Sequence, residues 1–233
     1  MFQEENSPED QNPSCTFEGS RLTPRKLWYF GQLLGTVDAI PASHCELRRA
    51  ATNWFAQMRQ ADEDFVRDSE VSSNRWNVGL TNLVSTVPTP ERFTSQLLKL
   101  YRDNFDFWWT MVNRYERAHL ESREAFLQVR KQAFPGQHDA LARASDALAS
   151  GRIQACLHFK GAVDALLLEK QDGRIISPEE ARSISLTLQV QNETVLKTKL
   201  CLLNTEFRDA LLLASESDPF FVAVVDLQRR TSF

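Results

Sequence analysis

No glycine-rich phosphate loop, no G-x-S-x-G elbow and no H-E-x-x-H pair occurs in the 233 residues. Nucleotide, serine-nucleophile and zinc-hydrolase chemistries therefore lack the spacing they require. Glycine is scarce, at 8 residues, which leaves few loops where backbone can close on a substrate. No cysteine pair has C-x-x-C spacing: Cys15, Cys45, Cys156 and Cys201 stand far apart. That is the pattern of reduced thiols, and the last three, lying within apolar patterns, are expected to be buried. Basic excess is also missing, since 27 Lys plus Arg face 31 Asp plus Glu for a net charge of -4. This argues against a chain-wide phosphate-binding surface. No apolar run reaches the ~18 to 20 residues of a membrane span. The Leu-rich patch from Leu200 to Ala214 is broken by Asn204, Glu206, Arg208 and Asp209. Met-Phe-Gln-Glu-Glu at the start has no basic or apolar signal region and no Gly at position 2, so the expected location is cytoplasmic or nuclear.

What is present is helical periodicity punctuated by proline. Residues 1–20 join acidic side chains to Pro, Ser, Asn and Gln and read as a flexible acidic tail. Thr23-Pro24 is an N-cap and N1 pair, opening a short helix in which Leu27, Phe30, Leu33 and Leu34 share a face before Gly35. Ser43 and Glu46 form a capping box, followed by Leu47, Ala51, Trp54, Met58, Ala61 and Phe65 at helical spacing. The polar stretch Asp68 to Asn74 separates this helix from a third, carrying Trp76, Leu80, Leu83 and Val87. Thr89-Pro90 opens a long helix near 90–134 with a heptad-like register, weakest at Asp103-Asn104 and ended by Pro135-Gly136. An Ala- and Leu-rich helix follows near 137–171, with Gly151 and Gly161 small enough to let helices approach closely. Ser177-Pro178-Glu179-Glu180 then opens a helix near 178–215.

Two readings stay open over 184–201. Ile184, Leu186, Leu188 and Val190 alternate with polar residues as a strand does, with Val195 to Cys201 as its mirror, a short β element in the C-terminal third. Leu196, Leu200, Leu203, Phe207 and Ala210 keep helical spacing, and helix is favoured. Phe220 to Leu227 is read as a short helix or one strand.

Candidate sites are few. Cys156-x-His158 is two residues apart and points to different sides of a helix, so it does not chelate a metal, and no cofactor is expected. Phe105, Phe107, Trp108 and Trp109 cover more than half a helix circumference. Either the helix is wrapped on several sides, or Trp108 and Trp109 meet a partner. Arg48 and Arg49, with Arg59 and Arg67, lie on the second helix, while Arg114, Arg117, Arg123 and Arg130 lie on the long one. Glu63 to Arg67 and Glu116 to Arg123 read as surface charge pairs. Gly151-Arg152-Ile153, with Phe159 and Gly161, is similar to the first homology segment of Bcl-2-like proteins. Ala149-Ser150 replaces the Asn-Trp that precedes it in that family, and no Trp after Trp109 supplies the family's second segment.

These patterns predict an all-α, antiparallel bundle of about six helices, with one domain over 21–228 and a frayed end at 229–233. The expected function is non-enzymatic binding of other protein chains, including copies of itself, in a structural, scaffold or adaptor role. Its anchors are Trp108, Trp109, Arg48, Arg49 and Arg152. The alternatives are a nucleocapsid-type protein coating nucleic acid with an Arg-lined groove, and a BAR-like dimer on a membrane surface.

Overall fold

The computed structural model describes residues 21–86, 89–169, 175–216 and 218–231. The acidic tail at 1–20, the turn at Gln171 to Gly173, Cys15 and the last two residues lie outside them. The described residues form an all-α fold with no strand. Helix α1 is Pro24–Thr36, followed by a 3-10 turn at Val37–Ala39. Then come α2, Cys45–Thr86; α3, Pro90–Ala133; and α4, Pro135–Glu169. Helix α5, Pro178–Val190, passes through a π turn at Gln191–Leu196 into α6, Lys197–Ala214, and α7 is Pro219–Arg230.

Proline and its preceding cap set most of these starts. Thr23 Oγ1 accepts from Lys26 N at 3.3 Å, and Thr89 Oγ1 accepts from Arg92 N at 3.4 Å. At α5 the capping box is complete: Ser177 Oγ accepts from Glu180 N at 3.2 Å, and Glu180 Oε2 accepts from Ser177 N at 3.1 Å. Asp218 Oδ1 caps α7 on Phe220 N at 2.9 Å. Such caps satisfy amide groups that the first helical turn leaves without partners.

Several boundaries differ from the sequence reading. The helices expected on either side of Asp68 to Asn74 are one helix of 42 residues. Polar residues in that stretch find partners on α3: Asp68 pairs with Arg114, and Ser72 Oγ donates to Asn104 Oδ1 at 2.8 Å. The same contact falls at Asp103-Asn104, where α3 runs on unbroken through its 44 residues. Ser43 does not form the expected capping box, because α2 starts at Cys45 and Glu46 Oε1 turns to Arg49 Nη2 at 3.5 Å. Pro135 opens α4 at once instead of standing in a connection, which suits its missing N–H. Gly35 does not end α1, which continues to Thr36. The β element is absent among the described residues, and 184–201 is helical throughout. Its period-two pattern arises because buried Ile184 and half-buried Leu188 face inward, while Leu186 and Val190 face water. Phe220 to Leu227 is helix α7. Arg229 and Arg230, expected to fray, form its last turn, with Arg229 Nη2 on Asp209 Oδ1 at 3.2 Å.

Two apolar cores result. One joins α1, the first half of α2, the end of α3 and α7, around Trp54, Phe55, Phe126, Phe220 and Phe221. Trp54 stacks on Phe126 with ring centroids 4.9 Å apart. The other joins the first half of α3, the second half of α4 and α5, around Leu98, Val112, Phe159, Val163, Leu167 and Ile184. Along α3, Glu116, His119 and Arg123 fall between the two cores, and this places the polar site described next.

Candidate functional site

The five expected anchors are not gathered in one place. Trp108 and Trp109 are half-buried against the second core. Trp108 stacks on Phe105 at 5.0 Å and meets the edge of Phe159 at 5.3 Å. Arg48 donates to Asp38 Oδ1 at 2.6 Å and Arg49 to Glu46. Arg152 belongs to a buried network of its own.

That network lies in a crevice of about 320 Å³ bordered by α1, α2, α3, α4, α6 and α7. Arg152 grips Glu116: its Nε reaches both carboxylate oxygens at 2.9 and 2.8 Å, and Nη2 reaches Oε1 at 2.7 Å. Its Nη1 donates to Asn204 Oδ1 at 2.9 Å, tying α4 to α6 as well as α3. Burial alone would lower the Arg152 pKa, but the Glu116 carboxylate outweighs it and holds the cation above its usual value. Asp62, buried on α2, accepts from Lys26 Nζ at 2.7 Å and has His119 Nε2 at 3.4 Å. Burial opposes the Asp62 charge, yet His119 and Lys26 beside it keep its pKa below the usual carboxylate range. Burial, reinforced by the Asp62 charge, pushes the Tyr115 hydroxyl well above its ordinary value and Tyr29 to about 12. Both phenols are therefore neutral donors at ordinary pH. Arg123 is buried too, donating to Ser145 Oγ at 2.6 Å and Ser145 O at 3.3 Å and lying over the Phe207 ring. Burial pulls its pKa down to about 10.

The sequence spacing suggests a surface pair of Glu116 and Arg123; both are buried, and Glu116 pairs with Arg152 instead. Glu63 pairs with Arg59 at 3.5 Å, while Arg67 turns to Asp64 at 2.8 Å. A signal for this was present. Glu116, Arg123 and Arg130 recur every seven residues in the register of buried Val112 and Phe126, and Asp62 follows Trp54 and Met58 at intervals of four. A charged residue at a core position is a polar network waiting for its partners. Of the cysteines, Cys156 is buried and its thiol pushed up to about 11 by burial, but Cys45 and Cys201 are exposed, contrary to expectation. All three are free thiols. Among the described residues no three His, Cys, Asp or Glu side chains group as metal ligands, and no helix is long and apolar enough to cross a membrane.

A second feature lies on the outside of α5 and α6. Leu186, Val190, Val195, Leu202 and Leu213 are from 50% to 83% exposed. In a regular α-helix Val190 and Val195 would stand about 140° apart. The wider i to i+5 turn over Gln191–Leu196 narrows that angle and brings Val195 toward the side of Val190, and helical spacing puts Leu202 and Leu213 on that side too, with exposed Lys199 and Glu206 between them. The segment resembling the Bcl-2-like motif lies on α4, where Gly151 packs against Leu203 of α6 and Arg152 holds Glu116. No family model, curated protein or solved structure matches the chain.

Proposed function

We propose that this protein is non-enzymatic and works by protein–protein interaction in a structural or scaffold role, with a second copy of itself as a partner. The observation that carries the reading is the outer stripe of Leu186, Val190, Val195, Leu202 and Leu213. Single exposed aliphatic residues are ordinary, but five on one side of α5 and α6, interspersed with Lys199 and Glu206, make a mixed surface that association covers. Charge complementarity selects a second copy as the occupant. A two-fold pairing of the α6 helices centred between Leu202 and Leu203 sets Lys199 of each copy against Glu206 of the other.

The scaffold under this surface is, in our reading, a single antiparallel bundle. Its support is the order of the contacts. From α2 to α3 the partners run Trp54 with Phe126, Asp62 with His119, Ser72 with Asn104 and Gly79 with Leu100, one number rising as the other falls. From α3 to α4 they run Arg123 with Ser145, Glu116 with Arg152 and Trp108 with Phe159.

The test is mass by light scattering over a concentration series, on the wild type and on Leu202→Glu. Leu202 is half exposed, so the substitution leaves the cores alone. A wild-type dimer that the variant converts to a folded monomer is the expected result. A wild type that stays monomeric at every concentration overturns the reading.

A further inference from the structure

The walls of the buried crevice carry more positive than negative charge, although the whole chain is acidic. Four cationic side chains, Lys26, Arg123, Arg152 and Arg208, face two carboxylates, Asp62 and Glu116, an excess of two positive charges before His119 is counted. The carboxylates are already committed, Asp62 to Lys26 and Glu116 to Arg152. The other two cations hydrogen-bond to neutral groups among the described residues, although the Glu116, Glu124 and Asp146 charges also act on Arg123. Arg123 is 8% exposed and spends its hydrogen bonds on Ser145. Arg208 gives Nη2 to Thr205 Oγ1 at 2.8 Å and leaves Nε buried with no partner. A buried guanidinium N–H with no carboxylate in hydrogen-bond reach is costly, and an anion supplied from solution reduces the cost. His119 Nε2, buried 3.4 Å from Asp62 Oδ1, lines the same space.

We propose that this crevice binds a small organic phosphate, its dianionic head held by Arg123 and Arg208 and its apolar body lying against the Trp54, Met58 and Leu211 wall. The two guanidinium charges match a phosphate dianion better than a single carboxylate, and the N–H groups that Ser145 and Thr205 leave free, Arg208 Nε among them, meet its several acceptor oxygens. The volume, about 320 Å³, falls in the range of small-molecule sites. Exposed Cys201 and Asn204 stand where the crevice meets solvent, giving a route in. The inference is independent of self-association, since the stripe lies on the outer side of α5 and α6.

The test is calorimetric titration of the full chain with phenyl phosphate and with inorganic phosphate. In parallel, the rate at which a thiol reagent labels Cys201 is followed. We expect phenyl phosphate to bind at one site, more tightly than inorganic phosphate, and to slow Cys201 labelling while Cys45 reacts as before. Arg208→Gln, at a half-buried position, is expected to weaken binding by about tenfold, the loss of one charge-assisted hydrogen bond. Arg123→Gln adds a second variant, used where its circular dichroism matches the wild type. Absence of saturable binding by phenyl phosphate overturns the proposal. So does unchanged affinity in Arg208→Gln, or a Cys201 labelling rate that phenyl phosphate leaves untouched.

Discussion

Arg152 Nε stands 2.9 and 2.8 Å from the two carboxylate oxygens of Glu116, so one planar fork crosses from α4 to α3 at the level where neither apolar core reaches. Because both groups are largely withdrawn from water, the pair is worth less than its geometry suggests, and removing one partner is far worse than removing both. Glu116→Ala is expected to cost about 3–5 kcal/mol, since it leaves a buried guanidinium uncompensated. The double variant Glu116→Leu with Arg152→Met is expected to recover most of that loss. Urea unfolding of the two variants checks both, and a double variant as unstable as Glu116→Ala overturns the argument.

Asp62 gives the fold an acid-sensitive joint. Its folded pKa lies below the ordinary 3.8, so the stability it contributes is fully present above that value. That contribution is lost as pH falls through the lowered folded value. Asp62→Asn is therefore expected to be less stable than wild type near neutrality, with the difference shrinking toward zero at the acid end. Thermal melts of both proteins across an acid series measure it; a constant difference contradicts the assignment.

Glycines inside the helices separate into two kinds. A Cβ at Gly31 or Gly161 meets nothing within 4 Å, whereas one at Gly151 lies 2.7 Å from Leu203 Cδ2. Gly31→Ala and Gly161→Ala should each stabilise the protein by about 0.8–1 kcal/mol through helix propensity alone. Gly151→Ala should gain nothing until Leu203→Ala makes room. A denaturation cycle on these variants reads the coupling directly.

Helix identity was legible wherever local chemistry decided it. Thr23-Pro24, Thr89-Pro90 and Ser177 with Glu180 each place a cap that the chain uses. Breaks were less legible, because a polar run such as Asp68 to Asn74 ends a helix only if nothing receives its side chains, and here Arg114 and Asn104 do. The crevice was hidden for the same reason. Asp62, Glu116 and Arg152 come from three helices, and no local spacing shows that they converge. Trp108 and Trp109 stood out by composition, yet both are half-buried against the second core within the chain, Trp108 on the rings of Phe105 and Phe159.

The π turn at Gln191–Leu196 also fixes where the chain can change length. A residue lost or gained within a regular helix turns everything beyond it by about 100°. In the body of α6 such a change would swing Leu203, Phe207 and Leu211 away from the neighbours they pack on. The π turn already holds one residue more than an α turn needs, so a single deletion there relaxes it to ordinary spacing with α5 and α6 still in phase. A one-residue deletion is thus best accommodated at Gln191–Leu196, where it leaves the inner and outer faces of the helix intact.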